Sequence, residues 1–353
     1  MGSGGRDRPD PEDLSLWQAV QRYLRHRQVD ATESSVNAWA YRLKLFAEWT
    51  ESIGIDRVGA LEPYDLVEYY ELRSVQVEPS TLQGEMSTLK ALLEFLEDLA
   101  DVEDLADSVP QPDVDDEDLS SDERLETEDA MALLEFYRAS DEFASRDHVF
   151  LELAWLTGAR AGGIRGLDIR DVAIDDSPYV EFRQRAHSGT PLKNKYAGER
   201  AVALPEETGR AIREYIDVNR FDVRDDHGRQ PLLASTQGRP HPNTVRVWSY
   251  LATQPCLHSP CPHGKERPTC EWTNYNQGSK CPSSRSPHPI RTGSITWMLD
   301  MGWPIEKISA RVNATVKTIR KHYDKASLDE RRLRQRDAMQ DRRHFVDNLD
   351  LPT

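Results

Sequence analysis

A short acidic segment divides this sequence into two parts of different character. Residues 106–125 read ADSVPQPDVDDEDLSSDERL, and five of the six residues from Asp113 to Asp118 are acidic. Two prolines precede this run, and repulsion between like charges keeps such a chain extended. The sequence therefore predicts an acidic linker over residues 107–124, with a separate domain on each side.

The part before the linker, residues 11–106, predicts helices and contains no strand pattern. Four stretches have apolar residues at helical spacing, and the second can be capped by Thr32 or Ser34 and stops at Gly54. These stretches are residues 11–28, 34–54, 62–74 and 80–99. We expect a small helical bundle.

From Leu125 onward, helical stretches alternate with strand-like ones. Residues 179–187 (YVEFRQRAH) alternate and contain β-formers, and residues 192–205 (LKNKYAGERAVALP) read as a turn followed by a second strand. The second domain, residues 125–330, is therefore predicted to be mixed α/β with a small antiparallel sheet. The chain as a whole is predicted to be mainly α-helical.

The charge balance restricts how this chain could bind nucleic acid. It has 45 Lys+Arg against 61 Asp+Glu, a formal net charge of -16. DNA-binding domains usually carry a basic excess, so a DNA site here would have to concentrate its cations on an acidic body. Surplus carboxylate is also a device of halophile proteins, and in molar salt the screening length falls to about 3 Å. We interpret the chain as salt-adapted.

No apolar run approaches the roughly 18 residues that span a bilayer. The opening residues MGSGGRDRPDPEDLS contain no apolar core like that of a secretory signal. We therefore expect a cytoplasmic protein that does not enter a membrane.

Several residues of the second domain suit phosphate chemistry. WLTGAR places Arg160 directly after a Thr-Gly turn, and TPLKNK places Lys193 and Lys195 beside a predicted hairpin turn. SPHPIR places His288 and Arg291 three residues apart at a helix start, and therefore on one helix face.

Tyr323 completes the set, in the stretch TVKTIRKHYDK. In a helix it shares a face with Val316 and Ile319, as an ordinary core aromatic would. It could equally be a nucleophile, with the neighbouring cations facing a phosphate. The stretch alone does not distinguish the two interpretations.

Together these residue types match metal-free cleavage of a phosphodiester. That reaction needs a nucleophile, charge stabilisation of the phosphate oxygens and a proton for the leaving oxygen. Arginine binds phosphate oxygens bidentately, lysine and histidine can move protons, and tyrosine can form a covalent ester. The sequence has no strong carboxylate cluster of the metal-nuclease kind and no Gly-rich phosphate loop, so neither a two-metal nuclease nor an ATPase is indicated.

Read in order as TGAR, LKNK, HPIR and KHY, these motifs resemble those of the tyrosine recombinases of the phage integrase and Xer-like group. The first domain resembles their helical core-binding (SAM-like) domain, so the resemblance covers about residues 13–330 and implies an α+β catalytic domain. The roles that it implies are Tyr323 as nucleophile, Arg160 and Arg291 as phosphate ligands, His288 in proton transfer, and Lys193 or Lys195 as proton donor, with Lys193 preferred.

The resemblance also implies an activity and its partners. The activity is site-specific recombination of double-stranded DNA through a 3′-phosphotyrosyl intermediate and a Holliday junction, with no catalytic cofactor. Residues 331–353 predict a C-terminal helical tail, which family members often dock on a neighbouring protomer, so a homo-tetramer on DNA is implied.

Two positions depart from the family pattern. Family members usually carry an acidic residue three positions after the first arginine, whereas this chain has Gly163. They usually carry a further histidine near the stretch ARVN, and Asn313 stands about there, one residue further from Tyr323 than expected. An amide can donate a hydrogen bond to phosphate but cannot shuttle a proton, so Asn313 is included only as a candidate phosphate contact.

A Cys-rich insertion over residues 254–284 holds all four cysteines of the chain, which are Cys256, Cys261, Cys270 and Cys281. Such clustering predicts a structural Zn²⁺ site with four thiolate ligands, or with His258 or His263 in place of one. The gaps of 4, 8 and 10 residues include no tight knuckle. A regulatory disulfide and free thiols therefore remain alternatives.

Two other functions compete with the recombinase. The stretch GWPIEKISARVNATVKTIRKHYD also scans as a helix-turn-helix, which would suit a non-catalytic DNA-binding regulator with a core Tyr323. A strand-passing relaxing enzyme would use related chemistry without a partner site.

Overall fold

The computed structural model describes residues 10–99, 105–114 and 123–323. The chain divides into two compact units, Met1–Ser121 and Asp122–Thr353. The predicted tail over 331–353 lies outside the described residues, as does most of the acidic run.

All the regular secondary structure described in the first unit is helical. Ser15 caps the first helix with a capping box, because its hydroxyl accepts from the amide of Gln18 while the Gln18 side chain accepts from the amide of Ser15. Thr32, not Ser34, caps the second helix. The α-helices are α1 Leu16–Arg27, α2 Glu33–Ser52, α3 Pro63–Ser74 and α4 Pro79–Glu97.

The core of this unit consists of apolar side chains that recur on one face of each helix. Leu43 and Phe46 of α2 pack with Tyr69 of α3 and Leu89 of α4. Val109, which the sequence analysis placed in the linker, is also buried in this core. Residues 105–109 therefore pack against the bundle instead of extending from it.

The second unit combines helices with one small sheet, which confirms the predicted fold class. Among the described residues the sheet has three antiparallel strands in the order β1-β2-β3, which are β1 Val172–Ala173, β2 Tyr179–Phe182 and β3 Arg200–Ala203. The α-helices are α5 Thr127–Ala139, α6 Arg146–Thr157, α7 Ala161–Gly166, α8 Glu206–Glu214, α9 Pro242–Ala252, α10 Pro287–Asp300, α11 Ile305–Val312 and α12 Val316–His322. The predicted hairpin is thus present, whereas β1 was not predicted.

Helix α6 is the centre of this unit. It is buried on nearly all sides, since Phe150, Leu153 and Trp155 are all fully inaccessible, and it packs against both α9 and α10. A smaller apolar cluster joins α10, α11 and α12. This packing fixes the end of α6, the start of α10 and the α11–α12 turn relative to one another. No described helix is both long and apolar enough to cross a membrane.

Candidate active site

Arg160 owes its position to the way α6 ends. Gly158 adopts the left-handed conformation (φ 55°) that often terminates a helix. A side chain at Gly158 would also lie 2.9 Å from a methyl group of Val312, so glycine is required for α11 to approach. The chain then turns into α7, and Nη1 of Arg160 donates a hydrogen bond to the carbonyl oxygen of Asn313 at 2.7 Å.

Arg291 lies one turn into α10 and is only 2% exposed. Its Nη1 atom donates to the carbonyl oxygen of Gly158 and, at 2.7 Å, to that of Val312. Its Nε and Nη2 atoms are buried and have no hydrogen-bond partner. Leaving a buried donor unsatisfied costs about 1–3 kcal/mol, and more for a charged group, so these two atoms indicate a place for an anion.

Tyr323 is buried, with 6% of its surface exposed, and it packs against the apolar cluster of α10, α11 and α12. Burial lowers the pKa of Arg291 and of Arg160, while the nearby phenol group of Tyr323 acts in the opposite direction on both. Tyr323 is therefore a core aromatic whose polar end lies beside the two arginines.

His288 is exposed and lies beside Tyr323. Its ring centre is 6.4 Å from that of Tyr323. Partial desolvation, followed by the charges of Arg291, Arg160 and His322, lowers the pKa of His288 below its ordinary value of 6.5. The imidazole is therefore neutral near neutral pH and able to accept a proton.

Both candidate lysines are exposed on the loop between β2 and β3. Asn194 and Lys195 adopt left-handed conformations there, with φ of 72° and 51°. The side-chain amide of Asn313 donates to the carbonyl oxygen of Lys193 at 2.8 Å and accepts from Nδ2 of Asn194 at 2.9 Å. The lysine loop is thereby tied to the α11–α12 turn.

Sequence analysis missed Arg200, which begins β3 in the stretch GER. Its guanidinium group lies 4.2 Å from the centre of the Phe182 ring, directly across the β2–β3 ladder. Its Nε atom donates to the carbonyl oxygen of Arg311 at 2.5 Å. Burial and the charges of Arg291, Arg160 and Arg311 lower the pKa of Arg200 to about 10. The sequence signal that could have identified Arg200 is its place opposite an aromatic residue, Phe182, in the predicted hairpin.

Gly163, where the family pattern has an acidic residue, lies beside Phe182. A side chain at Gly163 would lie 3.3 Å from the ring of Phe182. The ring that supports Arg200 therefore takes up the space beside this position.

The structure does not bring the candidate zinc ligands of the Cys-rich insertion together. Among residues 123–323, no three His, Cys, Asp or Glu side chains converge on a point that could hold a metal ion. All four cysteines are free thiols, and the Cys256 sulfur accepts from Arg267 at 3.2 Å instead. Hydrogen bonds close the insertion, because Gln254 contacts both Trp272 and Arg267.

Comparisons with known proteins agree with this geometry. No curated protein matches the chain, but the model of the phage integrase family matches residues 123–328. Among solved structures, a Tn1549 transposon integrase in complex with circular intermediate DNA is 13% identical, over 92% of this chain and 100% of that one, with a TM-score of 0.62. A lambda integrase dimer bound to a core site is 11% identical, over 94% of this chain and 82% of that one, with a TM-score of 0.58.

A third solved structure, the N-terminal domain of a phage integrase/site-specific recombinase from Haloarcula marismortui, is 44% identical over 30% of this chain and all of its own, with a TM-score of 0.28. The two longer matches share the fold described above, and the family model covers more than half of the sequence. The resemblance drawn from the four motifs is thus confirmed: the chain belongs to the phage integrase family and is a tyrosine recombinase, an enzyme that cuts and rejoins DNA.

Proposed function

We propose that this chain is a site-specific DNA recombinase in which Tyr323 attacks the scissile phosphate. Arg160 and Arg291 hold the non-bridging oxygens, and His288 accepts the proton of the phenol. Lys193 donates a proton to the leaving 5′-oxygen, with Lys195 as the alternative donor.

The observation that carries the proposal is the pair of unpartnered donors on Arg291. Nε and Nη2 of a guanidinium group form a fork that matches two oxygens of a phosphate. Both atoms are buried without a hydrogen-bond partner. The guanidinium group of Arg160 and the phenol of Tyr323 are near enough to Arg291 to shift its pKa, in opposite directions. A phosphodiester at this place would satisfy the orphaned donors and lie beside the nucleophile.

In the proposed reaction a bond forms between Tyr323 Oη and phosphorus, and the bond from phosphorus to the 5′-oxygen breaks. The phenol proton passes to His288, and the leaving oxygen receives a proton from the lysine, so nothing is oxidised or reduced. The DNA 3′ end stays on the tyrosine until a 5′-hydroxyl of a partner duplex displaces it. No metal or cofactor is needed for these steps.

The competing regulator has less support. Helices α11 and α12 do form a helix-turn-helix-like pair, with Asn313 in the turn. A regulator would require neither a tyrosine beside two arginines nor buried, unpartnered donors on one of them. No finding favours it over the recombinase.

We propose two further properties, one from analogy with a solved structure and one from composition. A homo-tetramer on DNA follows from analogy with a lambda integrase tetramer bound to a Holliday junction. Light scattering on a four-way DNA junction tests it, and a complex with one or two protomers would refute it. The excess of 61 Asp+Glu over 45 Lys+Arg supports a salt-adapted enzyme.

The nucleophile is tested with a nicked suicide duplex carrying the cognate site, in high KCl, by comparing wild type with Tyr323→Phe. We expect a DNA-linked band on a denaturing gel for wild type and none for the variant, with equal binding of both to the duplex. Tyr323→Phe retains the aromatic ring in the core, so folding is matched. Equal binding without a band from either protein would favour the regulator.

A further inference from the structure

The last residues of α11 form a common anchor for the cationic groups of the site. The final carbonyl groups of a helix have no partner within it and carry partial negative charge. Here three successive carbonyl oxygens, those of Arg311, Val312 and Asn313, each accept from an arginine of a different element. The donors are Arg200 from β3 at 2.5 Å, Arg291 from α10 at 2.7 Å, and Arg160 from the α6–α7 turn at 2.7 Å.

Asn313 is the residue at which this chain segment turns. It follows α11 in the left-handed conformation (φ 53°, ψ 59°), which asparagine tolerates better than most residues. That conformation turns the chain from α11 into α12, which carries Tyr323 at its end. Only Ala314 and Thr315 thus separate the carbonyl anchor from the helix that leads to Tyr323.

The side chain of Asn313 adds a second connection, to the lysine loop. Its Nδ2 atom donates to the carbonyl oxygen of Lys193, and its Oδ1 atom accepts from Asn194. Gly198, further along the loop, packs against both, because a side chain there would lie 2.5 Å from the Lys193 oxygen and 2.6 Å from Nδ2 of Asn313. Both ends of the amide are engaged within the protein.

We propose that Asn313 is a positioning residue, which sets the catalytic lysine against the arginine pair and does not contact the scissile phosphate. The inference rests on the proposed function, because it assigns Lys193 as the donor to the leaving oxygen. It replaces the expectation that the amide of Asn313 binds phosphate.

The same anchor gives Arg160 an acceptor where the acidic residue of the family pattern is missing, at position 163. The carbonyl oxygen of Asn313 is the acceptor that orients Arg160. Phe182 occupies the space beside Gly163 and supports Arg200 instead. Orientation of Arg160 therefore comes from the backbone of the turn, and we expect it to persist when the side chain of Asn313 is removed.

The test compares Asn313→Gly and Lys193→Ala on two suicide duplexes, one normal and one with sulfur in place of the bridging 5′-oxygen. Glycine retains the left-handed turn and its carbonyl, and removes only the amide. A thiol has a pKa of about 8.5, so sulfur departs as thiolate and needs no proton donor. We expect both variants to form adduct on the normal duplex roughly 10- to 100-fold more slowly than wild type, and to approach the wild-type rate on the sulfur duplex.

A second variant, Asn194→Gly, removes only the hydrogen bond to Oδ1 of Asn313, and we expect a smaller defect that sulfur also relieves. The same change at exposed Asn274 of the insertion is the matched control and should leave the rate unaltered. The inference is overturned if Asn313→Gly cleaves the normal duplex at the wild-type rate, or if sulfur restores Lys193→Ala but not Asn313→Gly. Failure of the proposed function itself would show separately, as absence of any Tyr323-dependent adduct from wild type.

Discussion

The ring of Tyr323 packs among the apolar residues of α10–α12, while its phenol group lies beside Arg291. Burial affects the two residues differently. It fixes the ring of Tyr323 in one position. It also removes water from the guanidinium group of Arg291, two of whose donors then lack partners. The burial that holds the ring of Tyr323 in the small core thus also leaves Arg291 with donors available to an anion.

At the same scale, the proposed role of His288 predicts the pH dependence of cleavage. Only neutral imidazole can accept the phenol proton, so this role requires adduct formation to fall as the pH drops through the lowered pKa. We therefore expect the rate of adduct formation to reach half of its maximum at a pH below 6.5, which is the ordinary pKa of a histidine. Single-turnover adduct formation over a pH series measures this midpoint.

His322 supplies the comparison for that experiment. Its charge contributes to lowering the pKa of His288, after desolvation and the two arginines, so His322→Gln should move the midpoint upward, toward 6.5. A midpoint above 6.5 in wild type would contradict the assignment of His288 as acceptor.

At the scale of elements, the site depends on two loops packed against the end of one short helix. The β2–β3 loop and the α6–α7 turn both hydrogen-bond to the segment that ends α11. Each loop places one residue in the apolar core, Leu192 and Ala159 respectively. Close contact between backbone groups therefore decides the geometry, and a single added methyl group can disturb it.

Gly198→Ala tests this dependence. The new Cβ would lie within 2.6 Å of the Lys193 carbonyl oxygen and of Nδ2 of Asn313, so the loop must move. We expect cleavage to fall by roughly tenfold or more, with a loss of about 1–3 kcal/mol in the free energy of unfolding. Single-turnover rates and denaturant unfolding measure the two effects.

Gly162→Ala is the paired control, because its Cβ would meet nothing within 4 Å. Alanine within α7 should stabilise the fold by about 0.5–1 kcal/mol. Wild-type cleavage by Gly198→Ala would show that the loop is not held by the contact with Asn313.

At the scale of the molecule, net charge opposes compactness. With 61 Asp+Glu and 45 Lys+Arg, the chain repels itself and salt screens that repulsion. The screening length falls from about 10 Å to about 3 Å between ~0.1 M and ~1 M salt. We expect the thermal midpoint to rise steeply with KCl over this range and to level off beyond it, as followed by circular dichroism. A midpoint that stayed constant or fell would contradict salt adaptation.

Much of the fold was predictable, because its signals are local. Helical periodicity, the Thr32 cap and the stop at Gly54 depend on neighbouring residues, and the predicted bundle and hairpin are present. The four motifs likewise predicted the family, since each has a fixed spacing. The zinc site stays a prediction, because no three candidate ligands converge among the residues that the structure describes.

The sequence by itself thus determined the two-part organisation, the fold class and the family. Tertiary structure alone decided which groups meet, because the contacts between Asn313 and Arg160 and between Arg200 and Arg311 join residues more than a hundred positions apart. Their acceptors are backbone carbonyl groups, which every residue type carries. The residue types and their spacing therefore could not predict that the arginines of the site donate hydrogen bonds to the end of α11.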